Sequence, residues 1–68
     1  MKYRRVWFKE GNEWAFGFAG KPFRSSATFE KQKQFPYGVK RGERVVEVHN
    51  PNWGVQGIPV RYLKPRRR

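Results

Sequence analysis

Apolar and polar residues alternate along much of the chain, the pattern of β-strands with one covered face. Residues 3–9 (YRRVWFK) place Val6 and Phe8 on one side and Tyr3, Arg5, Trp7 and Lys9 on the other. A slip of one residue would invert every side chain. The reading taken here puts Val6 and Phe8 inside and leaves Trp7 outside among cations. Glu10-Gly11-Asn12-Glu13 predicts a turn. Residues 14–19 (WAFGFA) then alternate strictly, with Trp14, Phe16 and Phe18 on one side and Ala15, Gly17 and Ala19 on the other. The aromatic side predicts the hydrophobic core, so truncating Trp14 or Phe16 is expected to unfold the chain. The small side predicts a smooth surface that another backbone can approach closely. Residues 3–19 therefore read as a hairpin.

Gly20-Lys21-Pro22 predicts the end of the second strand. Residues 23–38 hold no clean period and predict a long basic loop, with at most a turn or two of helix capped by Ser25 or Ser26. Lys40-Arg41-Gly42-Glu43 reads as a turn. Residues 44–49 (RVVEVH) read as a strand with Val46 and Val48 inward. Asn50-Pro51-Asn52 forms the next turn. Residues 53–58 (WGVQGI) return as a strand in which Gly54 and Gly57 predict bulges or a bend. Residues 59–63 (PVRYL) predict a 3₁₀ turn, and 64–68 (KPRRR) a basic tail. Four to five short strands, with turn signals about every 8–12 residues, predict an all-β fold, a small barrel or sandwich. The expected organisation is one domain over residues 1–63 and the tail over 64–68.

Charge changes the picture from fold to partner. The 68 residues include 16 Lys or Arg against five Glu and no Asp, for a net charge of +11. Solubility needs a magnitude of only about 2–8 in a small domain. The excess predicts a polyanionic partner, and nucleic acid is the expected one. No basic amphipathic helix points to a membrane surface. The first residues lack the apolar segment of a secretory leader. The expected location is the cytoplasm, or association with nucleoid or ribosome. There is no Cys and only one His, so neither a metal site nor a cofactor is expected. His49, Ser25 and Ser26 have no recognisable acid–base partner, so the expectation is non-enzymatic.

The candidate site follows from spacing. On a strand, Tyr3, Arg5, Trp7 and Lys9 project together at intervals of about 7 Å. An aromatic ring stacks a base while flanking cations hold phosphates. Arg4, Lys40, Arg41, Arg44, Arg61, Lys64, Arg66, Arg67 and Arg68 add phosphate contacts. They cluster at the two chain ends and at the Gly42 turn, and proximity of the ends would merge them. The loop cations Lys21, Arg24, Lys31 and Lys33 can wrap a nucleic-acid backbone. No recognition helix is evident, so phosphate contacts and a few stacks are expected rather than base-sequence reading in a duplex. RNA, single-stranded DNA and duplex DNA stay open. A chromatin or phage-type DNA binder and a ribosomal or other RNA-assembly protein both fit.

Two resemblances bear on this. Lys40-Arg41-Gly42-Glu43-Arg44-Val45 and Ile58-Pro59-x-x-Tyr62-Leu63-x-Pro65 resemble the C-terminal half of SH3 domains, over about a third of the chain. The resemblance implies an SH3-like barrel. It also implies an alternative function, a protein- or peptide-interaction module whose groove is built on Trp53, Pro59 and Tyr62. The N-terminal ALYDY motif and the acidic loop of that family have no counterpart here. Val55-Gln56-x-x-Pro59-Val60-x-x-Leu63 is similar to the active strand of type II dihydrofolate reductases, with Gly57 and Ile58 in place of that family's Ile-Tyr pair. That similarity implies, as a lesser alternative, a reductase.

Overall fold

The computed structural model describes residues 4–65, which build one antiparallel sheet with strand order β1-β2-β3-β4. The strands are β1 (Arg4–Glu10), β2 (Glu13–Arg24), β3 (Arg44–Asn50) and β4 (Gly54–Pro59), followed by a 3₁₀ turn at Val60–Tyr62. The all-β expectation therefore holds, and the predicted turns at Gly11, Gly42 and Asn50 close where the sequence placed them. Gly11 sits at φ +65°, which lets the first hairpin turn over two residues. The Asn50 side chain accepts from the N–H groups of Asn52 and Trp53, at 2.7 and 3.2 Å, and so shapes the β3–β4 turn.

Val45 and Val39 are buried outside the main core cluster, which lies on one face of the sheet. Val6, Phe8, Ala19, Val46, Val48 and Ile58 are buried there, with Ala15, Tyr37 and Leu63 packed against them. Val6 and Phe8 point inward as expected. The aromatic side of β2 does not. Register pairs Val6 with Gly17, Phe8 with Ala15, and Trp7 with Phe16, and directly opposed residues project to the same face. Ala15, Gly17 and Ala19 thus line the core, and Trp14, Phe16 and Phe18 lie on the outer face. The cause is steric. A Cβ at Gly17 would stand 2.4 Å from Val48 Cγ1 and 2.8 Å from the His49 carbonyl oxygen. β3 crosses β2 so closely that bulky side chains cannot face it.

Two other expectations change, and the long loop is found without a helical turn. Gly20-Lys21-Pro22 does not end β2. It forms a register shift between Ala19 and Pro22, after which β2 continues beside β3 to Arg24. Proline has no N–H for the ladder, and an irregularity accommodates it. The β3–β4 ladder is continuous from Val45–Pro59 to Asn50–Gly54, without the bulges predicted at Gly54 and Gly57. Residues 25–43 contain no helix. They close on themselves through reciprocal Phe29–Val39 hydrogen bonds of 2.8 Å and dock on β4 through a bond from the Gly57 N–H to the Gln34 carbonyl of 2.8 Å. Phe29 and Phe35 stack with centroids 4.4 Å apart. The buried Gln56 amide donates to the Lys33 carbonyl at 2.9 Å, so this interior polar group is satisfied by the same segment.

Lys64 does not belong to a separate tail. It exchanges two 2.8 Å backbone hydrogen bonds with Trp7 on the outer edge of β1. Tyr3, Arg66, Arg67 and Arg68 lie outside the described residues.

The packing sets a clear expectation. Gly17→Ala should destabilise by about 1–3 kcal/mol, as overpacking does, and lower the melting temperature by at least about 4 °C. Phe18→Ala, on the outer face, should leave the melt within about 2 °C. Thermal denaturation followed by circular dichroism checks both, and the reverse ranking would overturn the face assignment.

Candidate nucleic-acid interface

The outer face of the β1–β2 hairpin alternates cations with rings. Across the ladder, Lys9 opposes Trp14, Trp7 opposes Phe16, and Arg5 opposes Phe18. The last row continues over the sheet, since Phe18 opposes His49 and His49 opposes Val55. The Trp7 and Phe16 rings are 5.2 Å apart and tilted at 45°. Phe16 and Phe18 meet edge to face at 6.3 Å. The Arg5 guanidinium lies 5.3 Å from the Phe16 centroid and 5.9 Å from that of Phe18. The Lys9 ammonium stands 5.5 Å from the Trp14 ring. Cation–π contacts of this kind hold charge above ring faces, so the cations cover an aromatic strip that would otherwise be bare.

Sequence reasoning named Arg5, Trp7 and Lys9 for this face but assigned their partners Trp14, Phe16 and Phe18, which could also form a stacking platform, to the core. The signal was present. With a two-residue turn at Gly11-Asn12, an inward Phe8 requires an inward Ala15, and hence an outward Phe16.

Two clefts open at opposite ends of the β1–β2 hairpin. The first, of about 320 Å³, opens between Trp14 and Phe16 of β2 and the β3–β4 turn, and is lined also by Glu10, Glu13, Ala15, Asn50, Pro51, Asn52 and Trp53. The Lys33 ammonium stands 5.1 Å from the Trp53 ring. The second, of about 500 Å³, has an apolar floor of Val6, Ala19, Val46, Val60 and Leu63, with Arg4, Arg5 and Lys64 at its rim. The described ends of the chain therefore do come together, and their cations share this cleft.

The remaining cations form a separate group. Arg24 and Arg44 are register neighbours, and Arg24 donates to the Gly42 carbonyl at 3.0 Å. Lys40 and Arg41 are exposed in the same turn. Arg61 pairs with Glu43 at 3.4 Å and lies 5.0 Å from the Tyr62 ring. Arg61 is thus partly neutralised, whereas the sequence counted it as a phosphate ligand.

Of the residues named for a peptide groove, Trp53 and Tyr62 are exposed and Pro59 is not. Pro59 is fully buried. Trp53 precedes β4 and Tyr62 closes the 3₁₀ turn that follows it. Gln56 is buried too, bonded to Asn50, Glu10 and the Lys33 carbonyl. The strand that resembles the reductases therefore turns its glutamine into the protein. Among the described residues no group of His, Asp or Glu is placed to hold a metal ion, and no helix is long and apolar enough to cross a membrane.

Comparison with protein-family models, with curated proteins and with solved structures finds no match.

Tyr37 anchors the 25–43 segment beside this face. Its hydroxyl donates to the Lys9 carbonyl, and its ring stacks on Tyr62 at 4.0 Å. Burial pushes its phenol above the ordinary value of 10.0, and the nearby Tyr62 and Glu10 push the same way. A folded-state value above the unfolded one means that the unfolded chain loses the proton first as pH rises. Stability from this group is fully present below about pH 10 and falls above it. Urea melts of the parent and Tyr37→Phe at pH 8 and pH 11 check this. The parent should lose more stability between the two pH values than the variant does, and equal losses would contradict the assignment.

Proposed function

We propose that the chain is a small SH3-like barrel that binds nucleic acid with unpaired bases through the outer face of the β1–β2 hairpin, without catalysis. The alternation of Arg5, Trp7 and Lys9 with Phe18, Phe16 and Trp14 carries the reading. Aromatic rings exposed on a sheet stack bases, which duplexes keep buried in their own stack. Cations beside the rings hold the phosphates and release their counterions. In the free protein those cations rest over the rings; a bound strand offers each a better partner, the base for the ring and the phosphate for the cation. Arg4 and Lys64 extend the positive surface at one end, and Lys33 at the other.

The pairing of Lys64 with Trp7, together with the 25–43 segment laid along β4, supports the barrel reading, because both cover strand edges that an open sheet leaves exposed. The burial of Pro59 weighs against the peptide-module alternative.

The test is a pair of measurements. Trp7→Ala should weaken binding to a single-stranded oligonucleotide by about 1–3 kcal/mol, the worth of one stack. Lys9→Ala should reduce the slope of log affinity against log salt by about 0.7, one phosphate on a single strand. Duplex DNA of equal length should bind more weakly than the single strand. Unchanged affinity and slope in both variants would sink the interface.

A further inference from the structure

The cleft between β2 and the β3–β4 turn differs chemically from the rest of this surface. The chain has only five acidic residues, and two of them, Glu10 and Glu13, line this cleft beside Trp14, Phe16, Pro51 and Trp53. On a chain of net charge +11, carboxylates that line the cleft from the core side of the hairpin, with Trp14 and Phe16 lining it from the outer side, work against phosphate. They suit a group that donates hydrogen bonds and carries no negative charge. The volume of about 320 Å³ falls at the lower end of small-ligand sites, about 300–1,000 Å³, and accommodates one planar heterocycle with water. Lys9 and Lys33 stand over Trp14 and Trp53, at 5.5 and 5.1 Å. Positive charge thus flanks the cleft, where phosphates on either side of an inserted base would lie.

We propose that this cleft takes a single guanine from the bound strand, stacked on Trp14 or Trp53 and read by Glu10 or Glu13. The inference rests on the nucleic-acid reading above and specifies its base preference. An ionised carboxylate only accepts hydrogen bonds. Guanine presents two adjacent donors on its Watson–Crick edge, N1–H and the N2 amino group, which one carboxylate accepts together. Adenine and cytosine each set a ring-nitrogen lone pair beside their amino group, and thymine flanks its one donor with two carbonyl oxygens. Each of those places an acceptor against the carboxylate. A cationic guest is disfavoured by the chain's net charge of +11, whereas a neutral base stacks once Lys9 or Lys33 moves aside to a phosphate.

Of the two carboxylates, Glu10 also accepts from the Gln56 amide at 3.4 Å, which orients it. Glu13 is exposed at the start of β2. Neither is part of the core, so the isosteric glutamine variants keep the fold.

The experiment measures anisotropy of labelled eight-nucleotide DNA strands. One is all thymine; the others carry one central guanine or one central adenine. The guanine strand should bind the parent about tenfold more tightly than the thymine strand, within the range of one specific bidentate base contact. The adenine strand should gain less than threefold. Removing a negative charge raises affinity for every strand, so the readout is the guanine-to-thymine ratio. That ratio should fall to about one in Glu10→Gln, in Glu13→Gln or in the double variant, with thymine binding retained. A parent that binds thymine strands without preferring guanine overturns the pocket and leaves the nucleic-acid reading standing. A guanine preference that survives the double variant overturns the role of the carboxylates. A parent that binds none of the strands overturns both readings.

Discussion

The close passage of β3 over Gly17 is the constraint on which the rest depends. Val48 Cγ1 and the His49 carbonyl occupy the space a side chain at position 17 would need, so β2 can turn only its small side inward. Strand parity then admits no choice. With Ala15, Gly17 and Ala19 inside, Trp14, Phe16 and Phe18 are outside. Through the hairpin register they stand opposite Lys9, Trp7 and Arg5. A single steric fact in the interior composes the whole outer face.

That composition reconciles two demands on a small basic domain. The interior is filled by residues of moderate size, with Phe8 the largest among them, and most of the aromatic mass stands outside it. An uncovered aromatic strip would favour association. Here the guanidinium of Arg5 and the ammonium of Lys9 lie over the rings, so the strip presents charge to the solvent. The 25–43 segment contributes in the same way. Tyr37 fastens it to β1 through the Lys9 carbonyl, and Gly57 and Gln56 fasten it to β4. Lys33 is thereby held above Trp53, at the edge of the cleft.

Negative charge is used sparingly and locally. Glu43 ties the Gly42 turn to Arg61 and accepts from the Lys40 N–H. Glu10 and Glu13 border the aromatic cleft. The remaining surface cations, Arg24, Arg41 and Arg44 among them, are exposed. On the proposed reading, such a distribution would divide long-range attraction for a polyanion from short-range selection at one point.

Local chemistry made much of this protein legible in the sequence. Turn residues such as Gly11, Gly42 and Asn50 act through their own backbones and side chains, so their turns could be read directly. The alternation of residues 3–9 and 44–49 located β1 and β3, and the inward set Val6, Phe8, Val46 and Val48 followed from it. Arg5, Trp7 and Lys9 were visible as one face for the same reason. The outward turn of Trp14, Phe16 and Phe18 was not visible from residues 14–19 alone, because hydrophobicity marks which residues prefer burial and not which side of a strand a neighbour can approach. The tertiary structure enforced that outcome through the close approach of Val48 to Gly17, although the hairpin register with an inward Phe8 already implied it. It likewise decided that β2 runs on past Pro22, since β3 supplies the partner that carries a strand through an irregularity. The burial of Pro59 and the meeting of Glu10 and Glu13 with Trp53, some forty residues away in sequence, were decided there too. Contacts of that range depend on how strands cross, and no local pattern encodes the crossing.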